Sequence, residues 1–480
     1  MNKLILLATA LTLVACNQET VKDEKTSSLK STNPYITVSP KLDGNLPLDV
    51  VFSDAKNLTT EQDRPFFDHY SWQTFIALNW PADISNRGVP IKPNTPDSFL
   101  STNRSGETSS PVVWETYREG FELFPPNDTP TPPPWNSSDP SYSPAGNTHD
   151  GKRVFAMTTK GGLMDEINEA FGGPLIDQNK KYVRYEVRIN ETEYEQVRTE
   201  KWYDKPTLED AIAKAFKESG NEGIQFKNNS IELKAAWREM VEGDDLSKYY
   251  VVNGLIADAE GNYSSANMGL VGLHIMQKTE KAPQWIWSTF EHVDNVTGIH
   301  PSFNNGSDAP TTPLTSACKE KDGVNPSSIT QAEIKARGYD CEPFEIPPFV
   351  AEANRRPVQV TRVDPIPTTP AQPAGYSTQA LNTKYQKLVG GTVWENYELV
   401  STQWPTNPEL PSPYDPTFDP DPDYKPELAG NPFPEFSANL TMETYFQKNS
   451  CMQCHYHAAA YGTDYSWIMV NRVIPPEEAK

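Results

Sequence analysis

The stretch YVRYEVRI, residues 182–189, alternates polar and apolar side chains. Successive side chains of a β-strand point to opposite faces of a sheet, so this period of two predicts a half-buried strand. Its apolar positions hold β-branched and aromatic residues, which strands favour. The stretch therefore places a sheet at the centre of the fold.

Further runs of the same kind, bounded by turn residues, predict strands at residues 231–234, 249–256, 268–276, 285–292 and 357–363. Helical patterns are interleaved with them, at residues 62–80, 207–216 and 377–388. Short strands at this spacing are typical of an antiparallel sandwich or barrel-like sheet. The sequence therefore predicts an α+β fold: a large, loop-rich domain with an antiparallel β-sandwich-like core and interleaved helices, plus a short helical C-terminal tail.

A short motif recurs, as WETY at residues 114–117 and WENY at residues 394–397, with a shorter echo, WQTF, at residues 72–75. Two interpretations stay open. The copies are short helices that dock aromatic side chains into the core, or they are a paired unit that flanks a ligand cleft. No fixed period recurs, so the chain is not a solenoid of repeats.

Composition bounds the class of protein. The 480 residues include 51 aromatic ones, 11%, which is too many for a disordered chain. The formal net charge of −22 argues against nucleic acid and against anionic membrane surfaces as partners, since both attract basic patches. Of the 44 prolines, 16 lie in two dense clusters, eight at residues 123–146 and eight at residues 401–430. The second cluster also holds four Asp and predicts an extended connector between a large β-rich domain, residues 41–400, and the C-terminal tail, residues 431–480.

The N-terminus carries an export pattern. A short basic start and an apolar run of about a dozen residues predict a signal peptide over residues 1–15. Leu13-Val14-Ala15-Cys16 resembles a bacterial lipobox, in which the cysteine is lipidated, and residues 16–40 are polar and predict a flexible tether. An ordinary signal with a chance cysteine is the alternative. We expect a lipoprotein of the bacterial cell envelope, on the periplasmic side or the cell surface. It touches the bilayer only through the acyl anchor on Cys16.

Cys451-Met452-Gln453-Cys454-His455 is the CxxCH pattern of covalent c-type haem attachment. Two thiols at this spacing reach the two vinyl groups of one porphyrin, and the adjacent His455 supplies an axial imidazole to the iron. The alternatives are a dithiol redox pair and a zinc site that adds His457 to the three motif residues. The export signal favours haem, because c-type haem is attached outside the cytoplasmic membrane.

The remaining cysteines, Cys318 and Cys341, bracket a polar, loop-like stretch. In an oxidising compartment they are expected to form a disulfide that contributes about 3 kcal/mol, with free thiols as the alternative.

The tail is too short for a complete cytochrome fold, because only 25 residues follow His455. Asn439 predicts the N-cap of a helix over residues 440–448 that leads to the motif. The large domain must then cover most of the macrocycle. Met469, the only Met after His455, is the predicted second axial ligand; His274 and His292 are alternatives, and each of the three has a core-packing alternative.

The motif formed by Cys451, Cys454 and His455 resembles that of c-type cytochromes, and the segments at residues 272–275 and 285–292 are similar to those of bacterial proteins of the cytochrome c family. The resemblance implies one covalent haem c and electron transfer. The large body and the missing Met-bearing downstream domain depart from an ordinary cytochrome.

The sequence thus favours a lipid-anchored, extracytoplasmic mono-haem cytochrome whose acidic surface steers a redox partner with a basic surface. An enzymatic role stays open. One alternative is a haem-dependent oxidoreductase with a substrate pocket in the large domain and acid–base help from His274, His292 or Glu291. The other is a binding module that carries a redox haem.

Overall fold

The structure is a computed structural model, and it describes residues 39–51, 60–102, 111–124, 131–137, 148–149, 152–155, 175–257, 262–306, 355, 357–371, 375–407, 432–444, 447–448 and 450–473. Cys16, Cys318 and Cys341 lie outside these residues, as do the predicted signal peptide and almost all of the predicted tether. Tyr35–Lys480 belongs to one compact unit, so the C-terminal tail shares a unit with the large domain.

In the described part of the chain the helices are Thr60–Leu78 (α1), Pro96–Thr102 (α2), Glu191–Glu200 (α3), Lys205–Ser219 (α4), Thr378–Leu388 (α5), Cys451–Ala460 (α6) and Trp467–Val473 (α7). The strands are Arg118–Glu119 (β1), Thr148–His149 (β2), Lys152–Phe155 (β3), Arg184–Ile189 (β4), Ile231–Met240 (β5), Val251–Ala257 (β6), Tyr263–Gln277 (β7), Ile286–His292 (β8), Tyr397–Pro405 (β9) and Pro432–Phe433 (β10).

The strands form one sheet that forks at β7. One edge of β7 pairs with β5. Its other edge pairs first with β6, up to Gly269, and then with β8, from Gly272 onward. The β6 branch continues through β3 to β2, and the β8 branch through β9 to β10. Neighbouring strands are antiparallel except for β3 and β6. The α+β class and the antiparallel sheet core are confirmed, while the sandwich-like arrangement takes the form of a single forked sheet.

The core lies between the β8 branch of the sheet and helices α1 and α5. Trp72 of α1 stacks on Tyr385 of α5 with ring centroids 5.0 Å apart, and its indole N–H donates to Asn382 Oδ1 over 2.9 Å. Phe75 stacks on Phe290 of β8 at 4.2 Å. Aromatic pairs of this kind add stability beyond their buried area. The aromatic richness of the sequence is therefore largely core packing.

The two complete copies of the recurring motif form matching 3₁₀ turns, at residues 113–116 and 393–396. In each turn the Trp is fully buried, and the Glu accepts a hydrogen bond from a backbone N–H three or four residues before it. Both turns meet at Tyr250, which stacks on Trp394 at 4.9 Å and bonds the first turn through its hydroxyl. The core-docking interpretation is thus the one that the structure supports.

The helices begin where side chains cap them. Ser377 accepts from Ala380 N at the start of α5, and Asp204 accepts from Thr207 N at the start of α4. Helix α4 ends at Gly220, which adopts φ 84°, a left-handed conformation that glycine enters without a steric penalty. The predicted helices at residues 62–80, 207–216 and 377–388 are confirmed to within a few residues.

Three sequence predictions are wrong in detail. Residues 357–363 are extended but form no strand, because they bond singly to separate segments, such as Val358 N to Ile176 O, instead of joining a ladder. The connector cannot begin at residue 401, since β9 runs to Pro405 and pairs with β8. The described part of residues 440–448 forms turns, not a helix.

Candidate cofactor site on helix α6

Helix α6 presents the motif residues on one face. Ser450 caps it by accepting a hydrogen bond from Gln453 N over 3.0 Å. Cys451, Cys454 and His455 occupy positions i, i+3 and i+4, which lie side by side on an α-helix. Both cysteines are free thiols. The helix thus brings two thiols and one imidazole together without help from distant sequence.

The chain before the helix is fixed to the forked sheet. The buried Asn439 amide donates to Thr289 Oγ1 and to Phe290 O, each over 2.9 Å. Leu440 N donates to Glu291 Oε1 over 2.6 Å. A Cβ added to Gly272 would lie 2.1 Å from Thr441 Oγ1, so only glycine lets this segment approach β7 so closely. These bonds to the sheet hold residues 439–444 in turns where the sequence predicted a helix.

The chain after the helix is fixed just as firmly. Asp464 O accepts from the Trp285 indole N–H over 3.0 Å, and Ile224 N donates to Gly462 O over 2.9 Å. Tyr465 OH bonds to Gln284 Oε1 over 3.0 Å. Helix α6 itself is tied to β9, where Gln403 Oε1 accepts from Met452 N over 2.9 Å. Hydrogen bonds to the large domain therefore hold the tail in place on both sides of the motif.

His455 has one ring nitrogen assigned by the fold. Its Nδ1 lies 2.7 Å from Tyr465 O, and a carbonyl only accepts, so Nδ1 carries the proton and Nε2 is unprotonated. Burial lowers the pKa of His455 to about 4, although the bond to the Tyr465 carbonyl opposes that shift. The Trp287 ring packs 4.7 Å from the imidazole, centroid to centroid. The ring is therefore neutral and oriented, with Nε2 ready to act as a ligand.

The two thiols sit in surroundings that keep them protonated. Burial raises the pKa of Cys454 to about 12, and the nearby Glu443 carboxylate adds to this shift. Burial and Glu443 raise the pKa of Cys451 as well, against a weak contact with Ser437. Reactive dithiol motifs have a lowered thiol pKa instead. The electrostatics of the site thus count against the redox-pair alternative.

A polar wall from the sheet and from residues 439–444 borders the motif. His274 on β7 is the register partner of Lys234 on β5. His274 Nε2 lies 3.3 Å from Glu443 Oε2, and Glu443 also accepts from Asn439 N over 2.8 Å. Burial alone would raise the pKa of Glu443, but His274 and the Asn439 N–H outweigh it, so the pKa is lowered. The wall therefore offers one carboxylate and two basic side chains.

These residues fit a covalent haem c. A neutral His whose second nitrogen donates to a backbone carbonyl is the usual state of a metal-bound imidazole, since that bond fixes both tautomer and ring orientation. His455 is in that state, and two free thiols lie on its face of the helix. Among the residues that the structure describes, no group of three or more His, Cys, Asp and Glu side chains is arranged to hold a metal ion.

The structure also describes three other predicted site residues, Met469, His292 and Glu291. Met469 is fully buried in the main apolar cluster, which also contains Cys451, and its role as an axial ligand stays a prediction. His292 uses both ring nitrogens: Nδ1 accepts from Asp294 N, and Nε2 bonds to Lys248 O, each over 3.1 Å. Its ring also stacks on Tyr249 at 3.8 Å. Glu291 is buried and bonds to Arg362 as well as to Leu440 N. His292 and Glu291 are thus structural residues, which removes two of the candidates for acid–base chemistry.

The sequence predicts no role at the site for four residues that lie there, namely Tyr465, Trp287, Gln403 and Glu443. Tyr465 contributes a backbone carbonyl, and a carbonyl leaves no trace in the side-chain pattern. Gln403 lies in strand β9, which the proline-rich composition does not predict. Glu443 follows Asn439 by four residues and lies within the predicted helix at residues 440–448. No sequence pattern therefore predicts its contact with His274.

Comparisons with protein-family models, with curated proteins and with solved structures found no match for the chain. Among the described residues, no helix has the length and apolar character needed to cross a membrane.

Proposed function

We propose that the protein is a mono-haem c-type cytochrome of the bacterial cell envelope, anchored by lipid at Cys16 and dedicated to electron transfer. Cys451 and Cys454 would hold the macrocycle covalently, and His455 would bind the iron through Nε2. One observation carries the proposal: the hydrogen bond from His455 Nδ1 to Tyr465 O, which leaves a neutral Nε2 beside two free thiols. When bound, the haem supplies a one-electron redox couple.

The protein's own residues would orient and shield the group. Tyr465 fixes the plane of the imidazole, and Trp287 packs against it. Cys451 is nearly buried, while Cys454 and His455 are half-buried, which supports an attachment face that is partly shielded from water. The net charge of −22 favours a redox partner with a basic surface, because complementary charge speeds encounter.

A haem-dependent oxidoreductase is the second candidate, and the contact between His274 and Glu443 favours it. A carboxylate that polarises an imidazole is a common arrangement for moving a proton to or from a bound molecule. Glu443 lies near enough to influence the titration of both cysteines and His455, and His274 influences His455. In this candidate a bound haem would be free to take a small ligand.

Optical spectra of the mature full-length protein, oxidised and reduced, with and without CO, test the proposal. If the protein is an electron-transfer cytochrome, its haem should be low-spin and should not bind CO. If it is a haem-dependent oxidoreductase, its haem should be high-spin and should bind CO promptly. His455→Gln should abolish the low-spin spectrum, because it removes the axial imidazole. His457→Gln is the matched control, two residues along the same helix, and should leave the spectrum unchanged. Equal spectra for the two variants would contradict the role of His455.

A further inference from the structure

A second group of titratable residues is buried beside the docked tail, away from the thiols. Glu193 of α3, Glu232 of β5 and Asp464 of the tail are 0%, 5% and 1% exposed, and the only cation facing them among the described residues is Lys278, 3% exposed. Three carboxyl groups thus share one ammonium group in the interior. A buried charge without a partner costs several kcal/mol, so the excess must be neutralised.

Lys278 already forms an ion pair with Asp464. Its Nζ lies 2.5 Å from Asp464 Oδ2, which also accepts from Phe226 N over 2.7 Å. The carboxyl groups of Glu193 and Glu232 bond to each other instead. Neither oxygen of Glu193 meets a donor elsewhere in the described structure. Two carboxylates offer only acceptors, so a hydrogen bond between them requires a proton.

We propose that Glu193 and Glu232 form a proton-binding site that holds one proton at neutral pH and couples it to the docking of residues 462–466. The coupling is direct, since Ser466 and Asp464 of that segment lie close enough to the Glu pair to affect its titration. Through Tyr465 the same segment holds His455. A metal ion is the less suitable occupant, because the described donors are not arranged to hold one.

The titration of the pair agrees with this assignment. Burial is the main cause that raises the pKa of Glu232, to about 7, and the pKa of Glu193 is raised well above its usual value by burial and by Glu232. A pKa raised in the folded state means that the folded protein binds the extra proton. The stabilisation from the proton on Glu232 is complete below pH 4.5, the ordinary value for Glu, and is lost as the pH rises through about 7, while Glu193 keeps its proton to higher pH.

The test is the unfolding constant of the full-length protein as a function of pH, measured with denaturant. For the wild type it should rise about tenfold between about pH 6 and about pH 8 from this pair. Glu232→Gln should remove that rise, since it removes the carboxyl group that titrates near pH 7. Glu200→Gln, at the exposed end of helix α3, is the control and should keep the rise. The same rise in Glu232→Gln as in the wild type would overturn the proposal.

Infrared spectra give a readout that does not depend on the folding of that variant. The wild type should show the carbonyl stretch of protonated carboxyl groups, and this band should weaken as the pH passes through about 7, where Glu232 loses its proton. Glu232→Gln should lose this pH-dependent part of the band. A wild type with no such band that titrates near neutral pH would overturn the site.

The link to His455 rests on the proposed function and is tested separately. Oxidation of a haem adds one positive charge, which favours release of the proton, so the reduction potential should fall as the pH rises. Glu232→Gln should flatten this dependence, and a wild-type potential that does not change with pH would overturn the coupling. Absence of haem would defeat the proposed function, yet it leaves the unfolding and infrared tests valid.

Discussion

Lys278→Met is expected to lower the free energy of unfolding by about 3–5 kcal/mol, the usual effect of removing one partner of a buried ion pair. Lys278 and Asp464 are both buried, and the variant leaves the Asp464 carboxylate among two further carboxyl groups with no cation. The contacts that are lost hold in place the segment whose Tyr465 carbonyl bonds to His455. Denaturant unfolding at neutral pH, with a check that the slope is unchanged, measures the effect.

Lys181→Met is the matched control. Lys181 Nζ pairs with Glu239 at 3.4 Å, but the two side chains are 20% and 22% exposed. A pair that remains in contact with water contributes about 0–1 kcal/mol, so this variant should lose little stability. Similar losses in the two variants would show that the Lys278 pair is not a buried anchor of the tail.

Gly223→Ala is expected to destabilise the protein by about 2–3 kcal/mol, in the upper part of the range for overpacking. A Cβ at this position would lie 2.2 Å from Gly462 O and 2.3 Å from Gly462 Cα. Backbone atoms cannot rotate away as a side chain can, so the segment after α6 must move. The movement breaks the bond from Ile224 N to Gly462 O, and thermal and denaturant unfolding report the loss.

Gly120→Ala provides the control, because it also faces the tail. Its new Cβ would lie 3.4 Å from Ile468 Cδ1, an ordinary contact with a flexible side chain. We expect a change within about 1 kcal/mol. If Gly223→Ala were tolerated as well as Gly120→Ala, the close backbone approach that docks the tail would be refuted.

The fold was predictable wherever side-chain periodicity carried it. Residues 182–189 and 268–276 alternate or are continuously apolar, and both lie in strands of the sheet. Strand β9 was not predicted, because its C-terminal half overlaps the proline-rich residues 401–430, whose composition is typical of a connector and not of a strand. The fork at β7 depends on which strands pair along one edge, and periodicity within one strand does not encode its neighbours.

The site was predictable only in its covalent motif. The spacing of Cys451, Cys454 and His455 follows from chemistry that is local in sequence. The bond that assigns the tautomer of His455 comes from Tyr465, which adopts φ 68°, a conformation uncommon for a residue other than glycine. No pattern of side chains in the sequence predicts where such a backbone carbonyl will point. Glu193 and Glu232 were likewise unforeseen, since their contact joins a helix to a strand about 40 residues away.

The most direct measurement is the mass of the proteolytic peptide that contains Cys451-Met452-Gln453-Cys454-His455, taken from protein matured in a bacterial envelope and denatured before digestion. Covalent haem attachment at this motif predicts a peptide that keeps one haem through two thioether bonds. Replacing both cysteines with serine should return the peptide without haem. A wild-type peptide with two free thiols, or with a disulfide between Cys451 and Cys454, would refute the proposed attachment.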